Sequence, residues 1–141
     1  AMHEASPQWL TLELTESALV DNFDSTRRQL NALRRAGIKI ALDDFGTGFS
    51  SLAYISRLPL DTLKIDKVFV DDVESERGRK LLAGMLYIGN ALGLRVILEG
   101  VETDAQFQIL RSLGCEHFQG YLFSRPLPTA DLQAWVEKTE Q

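Results

Sequence analysis

Five short apolar runs alternate with helical patterns along the chain, and no hairpin turn signal joins any two of them. The runs are LTLEL (Leu10 to Leu14), IKIAL (Ile38 to Leu42), TLKI (Thr62 to Ile65), RVIL (Arg95 to Leu98) and HFQGYLF (His117 to Phe123), and three of them stop at an acidic residue. Between them, DSTRRQLNALRRAG has Asp24 or Ser25 as N-cap, apolar Leu30 and Leu33, and Gly37 as a stop. RGRKLLAGMLYIGNALG sets Leu81, Leu82, Met85, Leu86 and Ile88 on one side and ends at Gly93, with Gly84 and Gly89 placed for close packing. TDAQFQILRSLG starts at Thr103 as N-cap and stops at Gly114, and TADLQAWVEKTE starts at Thr129. SSLAYISRLP has room for no more than two turns before Pro59.

Strands that alternate with helices make a parallel sheet, either a doubly wound open sheet or a βα-barrel. GTG at 46 to 48 is a lone Gly-x-Gly and falls short of a dinucleotide fingerprint. Acids recurring at strand ends favour the barrel, whose active sites lie at that face. A complete barrel takes about 200 residues or more. Five strands in 141 residues therefore predict an α/β chain with a partial TIM-type βα-barrel, lacking the N-terminal part of the barrel.

The bulk properties narrow the function. With 45% hydrophobic and 25% charged residues the chain has the make-up of an ordinary globular domain, which excludes a disordered reading. A net charge of -5, with no basic run longer than paired arginines, argues against a long nucleic acid as partner but leaves room for a small anion held through metal ions. No stretch approaches the roughly 18 apolar residues of a membrane span and the start has no signal-peptide pattern, so the expectation is a cytoplasmic chain with no membrane contact of its own. Cys115, the single cysteine, reads as a small buried hydrophobe in a reducing compartment.

The chemistry gathers at the strand ends: Glu13 and Glu16, Asp43 and Asp44, Lys64 with Asp66, Glu99 with Glu102, and Gln119. Carboxylates share a small site only when their repulsion is offset, and divalent cations with oxygen ligands are the usual means. Two metals roughly 3.5–4 Å apart suit in-line displacement at phosphorus, and adjacent acids such as Asp43 and Asp44 can serve them. Each residue also has a plainer use. The aspartates can form a turn, Glu16 a helix start, and Glu99 and Glu102 can favour a helix N-terminus. Lys64 points either outward to helices or inward, where its ammonium needs carboxylate partners. His3 and His117 receive no role. DFG at 44 to 46 matches the magnesium triplet of protein kinases, but their His-Arg-Asp loop is absent from the sequence.

LELTES, ALDDFGTGFSSL, LKIDKVFV, EGVET and QGYLFSRPLP occur in the order and at the approximate spacing of one family. From about Trp9 to Trp135 the sequence resembles the EAL family of bacterial phosphodiesterases, which cleave cyclic di-GMP to the linear dinucleotide pGpG. The resemblance implies two Mg2+ or Mn2+ ions, with Glu13, Asp43, Asp44 and Glu99 as metal ligands. It also implies Lys64 beside the attacking water, Glu99 in base catalysis or metal coordination, and Gln119 near the metal site. Glu16 and Glu102 would hold the DFGTGFSS loop, which in the family couples substrate, metal and dimerisation. Sensory or GGDEF domains in a parent protein belong to the same expectation.

The Glu-Ala-Leu signature, its neighbouring arginine and the following metal-binding asparagine belong to the N-terminal part of the family's barrel and are absent from these residues. The expectation is that residues 1–141 are one partial EAL domain, inactive alone, with an unpaired sheet edge that invites self-association or dimerisation. The alternative is a degenerate member that senses cyclic di-GMP without cutting it.

Overall fold

A computed structural model describes residues 6–16, 23–48 and 51–139. After a 3-10 turn at Pro7–Trp9, the order is β1 (Thr11–Thr15), α1 (Phe23–Arg35), β2 (Lys39–Phe45), α2 (Leu52–Ile55), β3 (Thr62–Ile65) and α3 (Lys67–Asp71). Then follow α4 (Glu76–Ala91), β4 (Arg95–Leu98), α5 (Asp104–Ser112), β5 (His117–Phe118) and α6 (Thr129–Thr139). The five strands are parallel and lie in sequential order, β1-β2-β3-β4-β5. An order that never reverses has no topological switch point, so the sheet is a sector of a barrel rather than a doubly wound sheet.

Strand periodicity divides the side chains between two faces. Leu63 pairs in register with Val96, and Ile65 with Leu98, so these residues share the face that α4 covers. Gly89 lets that helix approach closely: a Cβ there would lie 2.4 Å from Val96 Cγ2. Leu82, Met85 and Leu86 pack inward as expected, whereas Leu81 is exposed, because the buried stripe of α4 runs through 82, 85, 86 and 89. Gly84 meets nothing within 4 Å, so the close packing expected of it is absent. The opposite face of the sheet carries Glu13, Ala41, Asp43, Thr62 and Lys64, in register across three strands.

Local chemistry sets most helix ends. Thr103 makes a full capping box with Gln106, and Gly37, Gly93 and Gly114 take φ of +97°, +70° and +86° after their helices. Some boundaries differ from expectation. Asp24 and Ser25 lie inside α1 rather than capping it, and the residue before Phe23 is outside the described residues. The last strand is two residues long instead of seven. Gln119 still exchanges backbone hydrogen bonds with Leu98 O (2.8 Å) and Val101 N (3.1 Å), after which the chain turns, Phe123 N donating to Gly120 O. Cys115 is buried, as expected, and burial pushes its thiol pKa up. Among the described residues no helix is long and apolar enough to cross a membrane.

Candidate active site

Lys64 lies on the inner face of β3, 5% exposed, where β2 and β4 flank its strand. Its Nζ is 2.8 Å from Glu99 Oε1, 3.0 Å from Glu13 Oε2 and 3.3 Å from Asp43 Oδ1. Three carboxylates from β1, β2 and the residue after β4 thus meet one ammonium. Burial acts to lower the lysine pKa. Hydrogen bonds to Glu99 and Glu13, with the charges of Glu99 and Asp43, outweigh it and raise the pKa above the ordinary lysine range. The inward alternative for Lys64 is therefore the observed one.

Strand β2 continues through Asp43 and Asp44 to Phe45, so the acidic pair sits within a strand and not in a turn after it. The register with β3 shifts between Leu42 and Phe45, and Asp44 takes φ +56°, a left-handed conformation rare for a residue with a side chain. This irregularity turns consecutive carboxylates toward one place. Carboxylate oxygens of Asp43, Asp44 and Glu99 lie within 4.8 Å of one another. Glu13 is tied to this trio through Lys64.

Four carboxylates against one ammonium leave a formal charge of -3, from four negative and one positive group. The imbalance shows in the groups themselves. Burial raises the Glu99 carboxyl pKa, Lys64 offsets this only in part, and Asp43 and Glu13 add to it. Asp44 is raised first by its partial burial and then by Asp43 and Asp66. Asp43 Oδ1 is buried and accepts no hydrogen bond among the described residues, its approach to Lys64 being an ion pair without hydrogen-bonding geometry. An orphaned anionic oxygen beside two more carboxylates fits a divalent cation, which takes hard oxygen ligands without needing a donor proton.

Glu16 is 4% exposed, and its Oε2 accepts from Gly46 N (3.2 Å) and Gly48 N (3.0 Å), clamping the turn after the acidic pair. Glu16→Ala is expected to lose about 1–3 kcal/mol by removing these charge-assisted bonds. The measurements are urea denaturation and hydrogen exchange at the Gly46 and Gly48 amides. Unchanged protection of both amides would rule the clamp out.

Glu102 is placed differently. It pairs with Lys67 Nζ at 3.1 Å, and Lys67 also meets Asp71 at 2.8 Å. Among the described residues no hydrogen bond or ion pair joins Glu102 to residues 44–48. Gln119 is exposed and borders, with Glu99, Glu102 and Tyr121, a groove of about 400 Å³. Lys67 and α3 went unread in the sequence. The signal was present: Asp66 caps Val68 N, and Lys67 and Asp71 stand at helical i,i+4 spacing.

A model of the EAL domain family matches residues 1–126. The chain belongs to the EAL domain family. It is 48% identical over 129 residues to the cyclic di-GMP phosphodiesterase NbdA of Pseudomonas aeruginosa, covering 91% of this chain and 16% of NbdA. The structure of the PaMucR phosphodiesterase in complex with c-di-GMP superposes with a TM-score of 0.86 at 40% identity, covering 92% of this chain and 53% of that one. The Klebsiella pneumoniae BlrP1 manganese/cy-diGMP complex gives a TM-score of 0.80 at 40% identity, covering 86% and 31%. The chain thus spans about half of the PaMucR chain and a much smaller share of NbdA.

Proposed function

We propose that residues 1–141 form a single partial EAL domain whose site belongs to a metal-dependent phosphodiesterase converting cyclic di-GMP to linear pGpG. One observation carries the reading: three carboxylates meet a buried lysine at one end of a parallel sheet and a fourth, Asp44, lies beside two of them, in a chain whose relatives include a cyclic di-GMP phosphodiesterase. Mg2+ or Mn2+ held by Glu13, Asp43, Asp44 and Glu99 would supply Lewis-acid activation of a water and neutralise charge during in-line displacement at phosphorus.

The chain's own residues do the remaining work. Lys64, within 3.3 Å of Glu13, Asp43 and Glu99, would offer a positive charge to the oxygen of the attacking water. Glu99, whose Oε1 lies 2.8 Å from Lys64 Nζ, would accept the proton of that water. Glu16 fixes the turn beside the acidic pair. Gln119 and Tyr121 border the groove next to Glu99 and would contact the dinucleotide there.

A divalent cation takes about six oxygen ligands. Waters complete such shells, but the chain spans about half of the PaMucR chain, so the 141 residues alone are expected to show no turnover. The test is a chimera in which residues 9–135 replace the matching segment of the PaMucR phosphodiesterase, assayed for linear dinucleotide with Mg2+ or Mn2+. Turnover by the chimera and none by the 141 residues is the expected result. A chimera that binds cyclic di-GMP without cutting it would replace the enzyme reading with that of a sensor. Turnover by the 141 residues would overturn the claim that they are insufficient.

A further inference from the structure

The ammonium of Lys64 and a divalent cation draw on the same carboxylates. Asp43 and Glu99 belong both to the carboxylate trio within 4.8 Å and to the set that Lys64 holds. An ammonium has three donor hydrogens, and three carboxylates surround this one. Its side chain is 6% exposed, so water competes little for those contacts. Without such a charge, Glu13, Asp43 and Glu99 would repel one another across neighbouring strands.

We infer that Lys64 is the resident counter-cation of the metal-free site, and that divalent cations load in competition with it. The inference rests on the reading of Asp43, Asp44 and Glu99 as metal ligands. Lys64 keeps the carboxylates assembled before a cation arrives, and it weakens the cation's hold by engaging two of the same carboxylates and repelling its charge. It acts as a positioning residue whose effect on the cation has a distinctive sign. A lysine that only organised metal ligands would strengthen cation binding. A competing lysine weakens it.

Mn2+ binding, followed by calorimetry and by electron paramagnetic resonance of the free ion, tests this on the chain and on Lys64→Met and Lys64→Gln. Removing a charge-assisted competitor is expected to tighten Mn2+ binding by about tenfold or more in each variant that folds. The metal-free variants should also melt earlier than the parent chain and gain more from added Mn2+. Affinity equal to or weaker than that of the parent would overturn the competition while leaving the metal site intact. Absence of Mn2+ binding in parent and variants together would overturn both the inference and the metal reading. A second measurement needs no substitution: nitrogen-15 NMR of the Lys64 ammonium during titration with Mg2+. The expected result is that its resonance shifts or is lost as its carboxylate partners leave, and a resonance unmoved at saturation would overturn the inference.

Discussion

Gly120→Ala is expected to cost the fold roughly 3 kcal/mol or more, a large loss for one methyl group. A Cβ at this position would lie 2.1 Å from Val101 O, 2.3 Å from Val101 N and 2.7 Å from Val101 C. These are backbone atoms, so no side-chain rotation relieves the overlap. Val101 is itself fully buried, its N–H donates to Gln119 O and its carbonyl accepts from Leu122 N. Relief therefore means parting the end of β5 from the segment after β4, with the loss of both hydrogen bonds. Glu99 lies two residues before Val101 and would move with it, so Mn2+ affinity should fall together with stability. Urea denaturation checks the first effect and calorimetry the second. Gly84→Ala is the control: with open space around it inside α4, it should gain about 0.5–1 kcal/mol. A Gly120→Ala midpoint within error of the parent chain's would refute the argument.

The same contrast explains how much the sequence discloses. Thr103, Gly93 and Gly114 could be read directly because caps and helix stops are decided by the residue and its immediate neighbours. Lys64 could be read as a candidate because a cation among Leu63, Ile65 and strand-end acids has few inexpensive places to go. The path of β2 was not legible. Asp favours turns over strands, so a local reading ends the strand at Leu42, while pairing with β3 carries it to Phe45 and holds Asp44 at a positive φ. Glu16 and Glu102 looked alike in the sequence, each three residues beyond a strand-end glutamate. Only the fold separates them, placing Glu16 under the glycine turn and Glu102 against Lys67. Leu81 was misread because apolar character does not choose between adjacent positions on a helix, and the contact with β3 and β4 selects Leu82.

Asp43→Ala is expected to weaken Mn2+ binding by about two orders of magnitude or more while leaving the fold intact, since on the proposed reading the lost group would hold the metal and a divalent cation depends on its anionic oxygens. The two effects separate because the carboxylate is surplus in the metal-free protein. Asp43 Oδ1 is buried without a hydrogen bond, and Lys64 retains Glu13 at 3.0 Å and Glu99 at 2.8 Å when it is gone. Removing one anion from a cluster of formal charge -3 relieves repulsion and offsets the loss of its ion pair with Lys64, so stability should stay within about 1 kcal/mol of the parent or rise. Asp43→Asn should behave alike, because it keeps the shape and loses the charge. In the PaMucR chimera both substitutions should abolish formation of linear dinucleotide. Loss of stability in step with loss of metal would instead mark Asp43 as part of the scaffold. Retained Mn2+ affinity in both variants would mean that the cation binds elsewhere on the chain and would overturn the proposed metal site.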